Sequence, residues 1–452
     1  MKSMPLCLRW VVKAAAGKGC TLGVRRMLLG GALAAGLGLA SEALAAQDAA
    51  GRQPANKITV AEAVAETRAL LQGRKISDIL GVTHTRGQYA FTKKPFLIEG
   101  AEAVNTLGAK IIKLWFSSGY QRSYAWNSQW PANIASLAEL AQTPYFEAVF
   151  GMPFHTYVLE VYEFIPKGNF WRNGLSPADR ERVHDDVYRL ARHLLTRYRG
   201  AGKTFVLQNW ESDNAIKQAL KGASPDTWDV AYRGMRDWLN TRQAAVEQAR
   251  RECGSNGVQV LNAMEVNFVP PGNALVSRRP YKKTYPLVVD TVVPQTHCDL
   301  YSLSSWETWS PGTEDSVLDR LQYLATKAPH DGIFGLNNLM VGEFGAHEDV
   351  FETPEKNYPI YRGDTSGAAF YALQLMVNSA LRAGVRYLIH WQIYDNDLRM
   401  GGKEEGKGLP PGVMATAEQC VGNWLIRPDG SHVPTYDYFK GLFDAEKNER
   451  PR

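Results

Sequence analysis

Eight short apolar runs recur along the chain, at Ile79–Thr83, Lys110–Phe116, Tyr157–Phe164, Thr204–Asn209, Val258–Ala263, Leu300–Leu303, Leu339–Glu343 and Tyr387–Trp391. Several are continuous rather than alternating, as expected of parallel strands covered on both faces. Between them, apolar residues fall at helical spacing over Val60–Leu71, Ile134–Ala141, Pro177–Tyr198, Thr227–Glu252, Glu314–Ala328 and Gly367–Ala383. Asp78, Ser176 and Asp226 stand where helix-start or turn residues belong. This alternation of strand and helix predicts an α/β fold, a (β/α)8 TIM barrel over residues 59–446 as one domain. A doubly wound open sheet is the rival, but no glycine-rich dinucleotide loop follows the first run. Gly401–Gly412 reads as a solvated loop after the eighth strand, and the turn at Leu425–Gly430 leads to a closing helix through Tyr438.

The first residues do not fit that alternation. Lys2, Arg9, Lys13 and Lys18 make a basic start, Arg25-Arg26-Met27-Leu28-Leu29 opens an apolar stretch, and Ala43-Leu44-Ala45 offers a small-x-small cleavage site. Residues 1–46 therefore read as an export signal, with paired arginines similar to a twin-arginine signal; an ordinary secretory signal is the alternative. The stretch is too short for a comfortable membrane span. The expected destination is the periplasm or the medium, with no stable membrane insertion after cleavage. Residues 47–58 read as a polar linker. Cys253, Cys298 and Cys420 remain in the mature chain; three cannot all pair, and their spacing fits no zinc pattern.

Composition narrows the function. The 452 residues are 45% apolar and 21% charged, enough for a large core, and the formal charge is +5. No Lys/Arg run interleaved with aromatics appears, which argues against nucleic acid. Aromatics make up 11% of residues, with 12 Trp, which suits both a large core and stacking platforms for sugar rings.

Two apolar runs stop abruptly on a glutamate. Phe205–Gln208 leads through Asn209-Trp210 to Glu211, and Leu339–Gly342 leads to Glu343-Phe344-Gly345. In the predicted order these are strands 4 and 7, and barrel sites form at the C-terminal ends of strands. Two carboxyl groups facing one another are the minimum for cleaving a glycosidic bond; a retaining enzyme needs them about 5–5.5 Å apart. At that distance one charge raises the other's pKa, so a protonated acid and an ionised nucleophile can coexist.

Gly342-Glu343-Phe344-Gly345, paired with a strand-4 glutamate, resembles the nucleophile motif of the family 5 cellulases and mannanases, within the clan A glycoside hydrolases. The resemblance covers residues 60–445. It implies a retaining glycoside hydrolase with Glu211 as acid/base and Glu343 as nucleophile, acting on a carbohydrate without a cofactor or metal. Endo action on a polysaccharide is the leading expectation. The alternatives are an exo-acting glycosidase or transglycosidase, or a carbohydrate-binding barrel without catalysis. The clan places Asn directly before the acid/base; here Trp210 intervenes, with Asn209 one position earlier and expected to face the same way, towards the sugar. The family's strand-2 arginine and its His-x-Tyr after strand 6 have no counterpart in this sequence. Trp391 resembles the clan's platform under the cleaved sugar.

Other expected substrate contacts are Trp306, His84, Glu265 and Asn267, with Trp126, Trp130 and Trp309 as further rim aromatics. His347 reads as a loop histidine close to the nucleophile. Consecutive His297, Cys298 and Asp299 do not make a metal site, and Asp395-Asn396-Asp397 lacks the glycine and distant glutamate of an EF-hand. Oligomeric state is not set by these patterns.

Overall fold

The computed structural model describes residues 56–449 except 166–167, 271–284, 307–312, 353–357, 400–408 and 410–411. The expected export signal, most of the expected linker and Trp309 lie outside the described residues.

All eight runs form strands: β1 Leu80–His84, β2 Ile111–Phe116, β3 Thr156–Val161, β4 Lys203–Gln208, β5 Val258–Val266, β6 Leu300–Ser305, β7 Leu339–Phe344 and β8 Leu388–His390. Every neighbouring pair is parallel, and β8 returns to β1, so the sheet closes into a barrel. Closure excludes the open doubly wound sheet.

Helices of eight or more residues among those described are α1 Val60–Leu70, α2 Phe96–Leu107, α3 Pro144–Gly151, α4 Pro177–Arg197, α5 Ser212–Ala219, α6 Trp228–Cys253, α7 Thr313–Lys327, α8 Thr365–Arg382 and α9 Pro434–Lys447. Ser176 caps α4 by accepting from the Asp179 amide, which satisfies one orphan donor of the first turn. The helix expected from Ile134 starts only at Leu137, where Ser136 accepts from the Glu139 amide. Three helices were not legible as periodic stretches: α2, α3 and α5. α2 carries Gly100 in mid-helix because His84 packs there; a Cβ at Gly100 would lie 2.2 Å from the imidazole. Thr67 of α1 bonds Asn378 of α8 at 2.7 Å and Tyr438 of α9 at 2.7 Å, tying the chain's two ends together where the barrel closes.

The barrel interior is layered. Ile111, Val158, Val206, Leu261, Leu300, Met340 and Ile389 form a buried apolar cluster separate from the core between strands and helices. Further along the same strands the inward positions turn polar: Thr83, Lys113, Glu160, Gln208, Glu265 and Ser302, all buried. The change falls towards the C-terminal ends, where barrel sites are built. Pairing slips between Leu303 and Ser304 on β6, and again along β7 opposite β8. Such irregularities re-aim side chains, and here Glu343 comes level with Ser304. Cys253, Cys298 and Cys420 are free thiols, the last two buried.

Candidate active site

Glu211 stands three residues past Gln208, the last residue of β4, at the N-cap position of α5. Its Oε1 accepts from Ser304 Oγ at 2.8 Å, and its Oε2 accepts from Asn267 Nδ2 at 3.3 Å and from Asn214 Nδ2. Its amide donates to Glu265 Oε2 at 3.2 Å. Among the described residues no cation pairs with it. Burial first, then the charges of Glu343 and Glu265, push its carboxyl up to about 8 against the Ser304 and Asn214 bonds. A carboxyl held that high keeps its proton at neutral pH.

Glu343 has the opposite surroundings. Lys113 Nζ lies 3.1 Å from its Oε2 and 3.1 Å from the Gly342 carbonyl. Burial raises the Glu343 carboxyl above the ordinary range, while the Lys113 charge, its hydrogen bond and the Trp306 indole pull it back. Lys113 also stands 3.3 Å from Glu160 and 4.0 Å from Glu265. Burial would lower the ammonium, but Glu265, Glu343 and Glu160 outweigh it and hold the group well above the ordinary lysine range. One fixed cation therefore serves three carboxyls. Desolvation chiefly lifts Glu160 to about 7 and Glu265 to about 8. A buried charge in a strand must be paired, and this cluster is that pairing.

Trp391 sits at the same mouth, buried, with Lys113 Nζ 5.8 Å from its ring centre and Trp115 beside it at 6.1 Å. Its indole N–H donates to Asn396 Oδ1 at 3.0 Å, and the Trp391–Gln392 peptide is cis. Asp395 accepts from the Gly422 and Asn423 amides at 2.6 and 3.0 Å. The Asp395-Asn396-Asp397 loop thus steadies Trp391. Trp306 also belongs here: its Nε1 donates to Ser304 Oγ at 3.1 Å, so one hydroxyl links the indole to Glu211.

The structure corrects several expected contacts. His84 points away from the interior, among Phe96, Tyr124 and Tyr394; its Nε2 bonds the Phe96 carbonyl at 2.8 Å, and burial drops it to about 4. It is a neutral packing residue. Asn209 turns sideways: Nδ2 donates to Ser212 Oγ at 2.9 Å and Oδ1 accepts from the Glu265 amide at 3.2 Å. It stitches β4 to β5 and leaves no polar atom for a sugar. Glu265 lies within β5 rather than past it, fully buried. Its Oε1 accepts from Gln208 at 2.7 Å and Ser302 at 3.1 Å, so it orients Glu211 and Lys113 from below.

Asn267 does reach the site, through Glu211, and Asp213 fixes it by accepting its amide at 3.1 Å. Trp130 packs among Tyr120, Tyr124, Tyr145 and Phe146, and Trp126 bonds the Gly87 carbonyl at 2.8 Å. His347 lies 5.3 Å from the Trp306 ring. Among the described residues no group of His, Cys, Asp and Glu could hold a metal, and His297 pairs with Asp331 instead.

Sequence reasoning missed Lys113, Glu160, Trp115, Ser304 and Asn214. A signal existed for the first two: each is the lone charge inside an apolar strand, Ile111-Ile112-Lys113-Leu114 and Val158-Leu159-Glu160-Val161.

Parallel strands closing into a barrel, with carboxyls at the ends of β4 and β7, define the architecture in which glycosidases are often built. No family model matches the sequence and no curated protein matches it. Among solved structures, the chain is similar to the family 5 xyloglucanase from Paenibacillus pabuli: identity is 12%, coverage 82% of this chain and 99% of that one, and the TM-score 0.43. It is also similar to GH5_18 from Streptomyces cattleya in complex with GlcNAc (13%, 82% and 81%, 0.46). A third is the endo-β-1,4-mannanase from Thermotoga petrophila (12%, 84% and 78%, 0.43). At such scores the fold and the site rest on this chain's own strand order and side chains.

Proposed function

We propose that this chain is a retaining glycoside hydrolase acting on a polysaccharide. The observation that carries the reading is the contrast between two buried carboxyls at one mouth. Glu343 is bound by a fixed ammonium that favours its ionised form. Among the described residues Glu211 is bound only by neutral groups, and burial and its neighbours' charge keep it protonated.

In the first step Glu343 Oε attacks the anomeric carbon. The bond to the leaving oxygen breaks as Glu211 gives that oxygen its proton. In the second, Glu211, now a carboxylate, takes a proton from water. The water oxygen displaces Glu343 and returns it to the ionised state. Trp391 offers an aromatic surface beside the reacting ring, and Lys113 keeps the nucleophile charged between turnovers. A binding protein gains nothing from holding a protonated and an ionised carboxyl side by side, which favours catalysis over the carbohydrate-binding alternative.

The test is a panel of activated 2-fluoroglycosides followed by mass spectrometry of the intact protein. The expected result is a stoichiometric adduct on Glu343, absent from Glu343→Ala. In Glu343→Ala, azide should restore turnover with inverted product. In Glu211→Ala it should give retained product on aryl glycosides. No adduct from any glycoside, with no azide effect in either variant, would remove the assignment.

A further inference from the structure

We propose that the wall between β1 and β2 is a subsite for an anionic substituent on the sugar, a uronate carboxylate or a sulfate ester, read by Arg86. The proposal rests on the catalytic reading of the same mouth and adds the class of glycan it takes. Arg86 follows β1 in the left-handed region, at φ 47°, a conformation costly for a residue with a Cβ. It is held there by its amide, which donates to the Ser123 carbonyl at 2.8 Å. That conformation lays the guanidinium over the Trp115 ring at 4.8 Å. Trp115 packs in turn against Trp391, whose ring faces Lys113. Arg86 thus stands two rings away from the nucleophile's ammonium, within reach of a substituent on a sugar lying against Trp391.

The guanidinium is half-buried, yet among the described residues its five donors make no hydrogen bond and no ion pair. A planar fork of that kind matches carboxylate and sulfate oxygens in pairs. Leaving it partly desolvated and unpaired is costly. Burial and the charge of Arg122, in the helical turn Tyr120–Ser123 after β2, both weigh against its charged form; Asp397 and Glu160 act in its favour from beyond ion-pair distance. A neutral hydroxyl would fill a donor without easing the repulsion between the two guanidinium groups. An anion does both.

The experiment is affinity electrophoresis of the full chain in gels containing polygalacturonate, hyaluronan, λ-carrageenan or neutral xyloglucan. The uronate and sulfate gels distinguish the two anion sources. The wild type should be retarded by at least one anionic glycan more than by xyloglucan, with the difference shrinking as salt rises. Arg86→Gln should cut that anionic-over-neutral ratio about tenfold, and Arg86→Lys should restore only part, because lysine lacks the fork. Should Arg86→Gln fail to fold, the exposed Arg122→Gln serves instead, with a smaller drop in the same ratio. Equal or greater retardation by xyloglucan, or an unchanged ratio in the variants, overturns the subsite. Anionic retardation without a glycosyl-enzyme adduct would instead leave the subsite standing and remove the hydrolase.

Discussion

Replacing Lys113 by methionine tests the electrostatic core of the site, because it removes one charge and keeps most of the side chain's length and apolar stem. Lys113 Nζ lies 3.1 Å from Glu343 Oε2. At that distance, with an effective dielectric constant of about 20, the attraction is about 5 kcal/mol, or about 4 pKa units for Glu343 if nothing else moved. Much of that is recovered elsewhere. Glu160 and Glu265 share the same ammonium, and without it they take up protons more readily, which relieves Glu343. A net rise of about 2 units is the reasonable expectation for the nucleophile.

Glu343 must be ionised to attack, so the acid limb of kcat/KM should move upward by that amount. Below the new limb the rate should fall roughly a hundredfold, with recovery towards alkaline pH. The fold should also suffer, since breaking a buried pair costs about 3–5 kcal/mol. Thermal melting therefore accompanies the kinetics, on whichever glycoside first labels the enzyme. A folded Lys113→Met with the wild-type acid limb would show that Lys113 does not set the charge of Glu343, and the contrast between the two carboxyls would lose its cause.

The alkaline limb should report Glu211. Its carboxyl is raised to about 8, so the rate is full below that pH and lost as pH rises through it. Ser304→Ala removes a donor that favours the ionised form, and should shift that limb up by roughly half a unit to one unit; an unmoved limb would mean another group controls it. Gly100→Ala should destabilise the barrel by about 1–3 kcal/mol without altering the pH profile, because its Cβ would meet the buried His84 ring at 2.2 Å. Urea unfolding measures this, and an unchanged midpoint would show that α2 moves aside freely.

The strand order was legible in the sequence because a buried parallel strand must be apolar on both faces, and eight such runs at that spacing leave few arrangements. The two glutamates were legible for the same reason: each ends an apolar run, and barrel geometry sends both to one mouth. Which polar side chains face inward was decided by register. His84 and Thr83 are neighbours on β1, yet one packs against α2 and the other lines the interior. No local pattern distinguishes them, because an all-apolar strand carries no alternation to mark its faces. Asn209 was expected on the sugar side because its position has the right parity, but the chain leaves β4 after Gln208 and the strand rule no longer applies. Lys113 on β2 and Glu343 on β7 lie 230 residues apart in sequence, so that neither could be recognised as the other's counter-charge until the sheet closed. A salt bridge across a barrel is a property of closure, and only the tertiary structure supplies it.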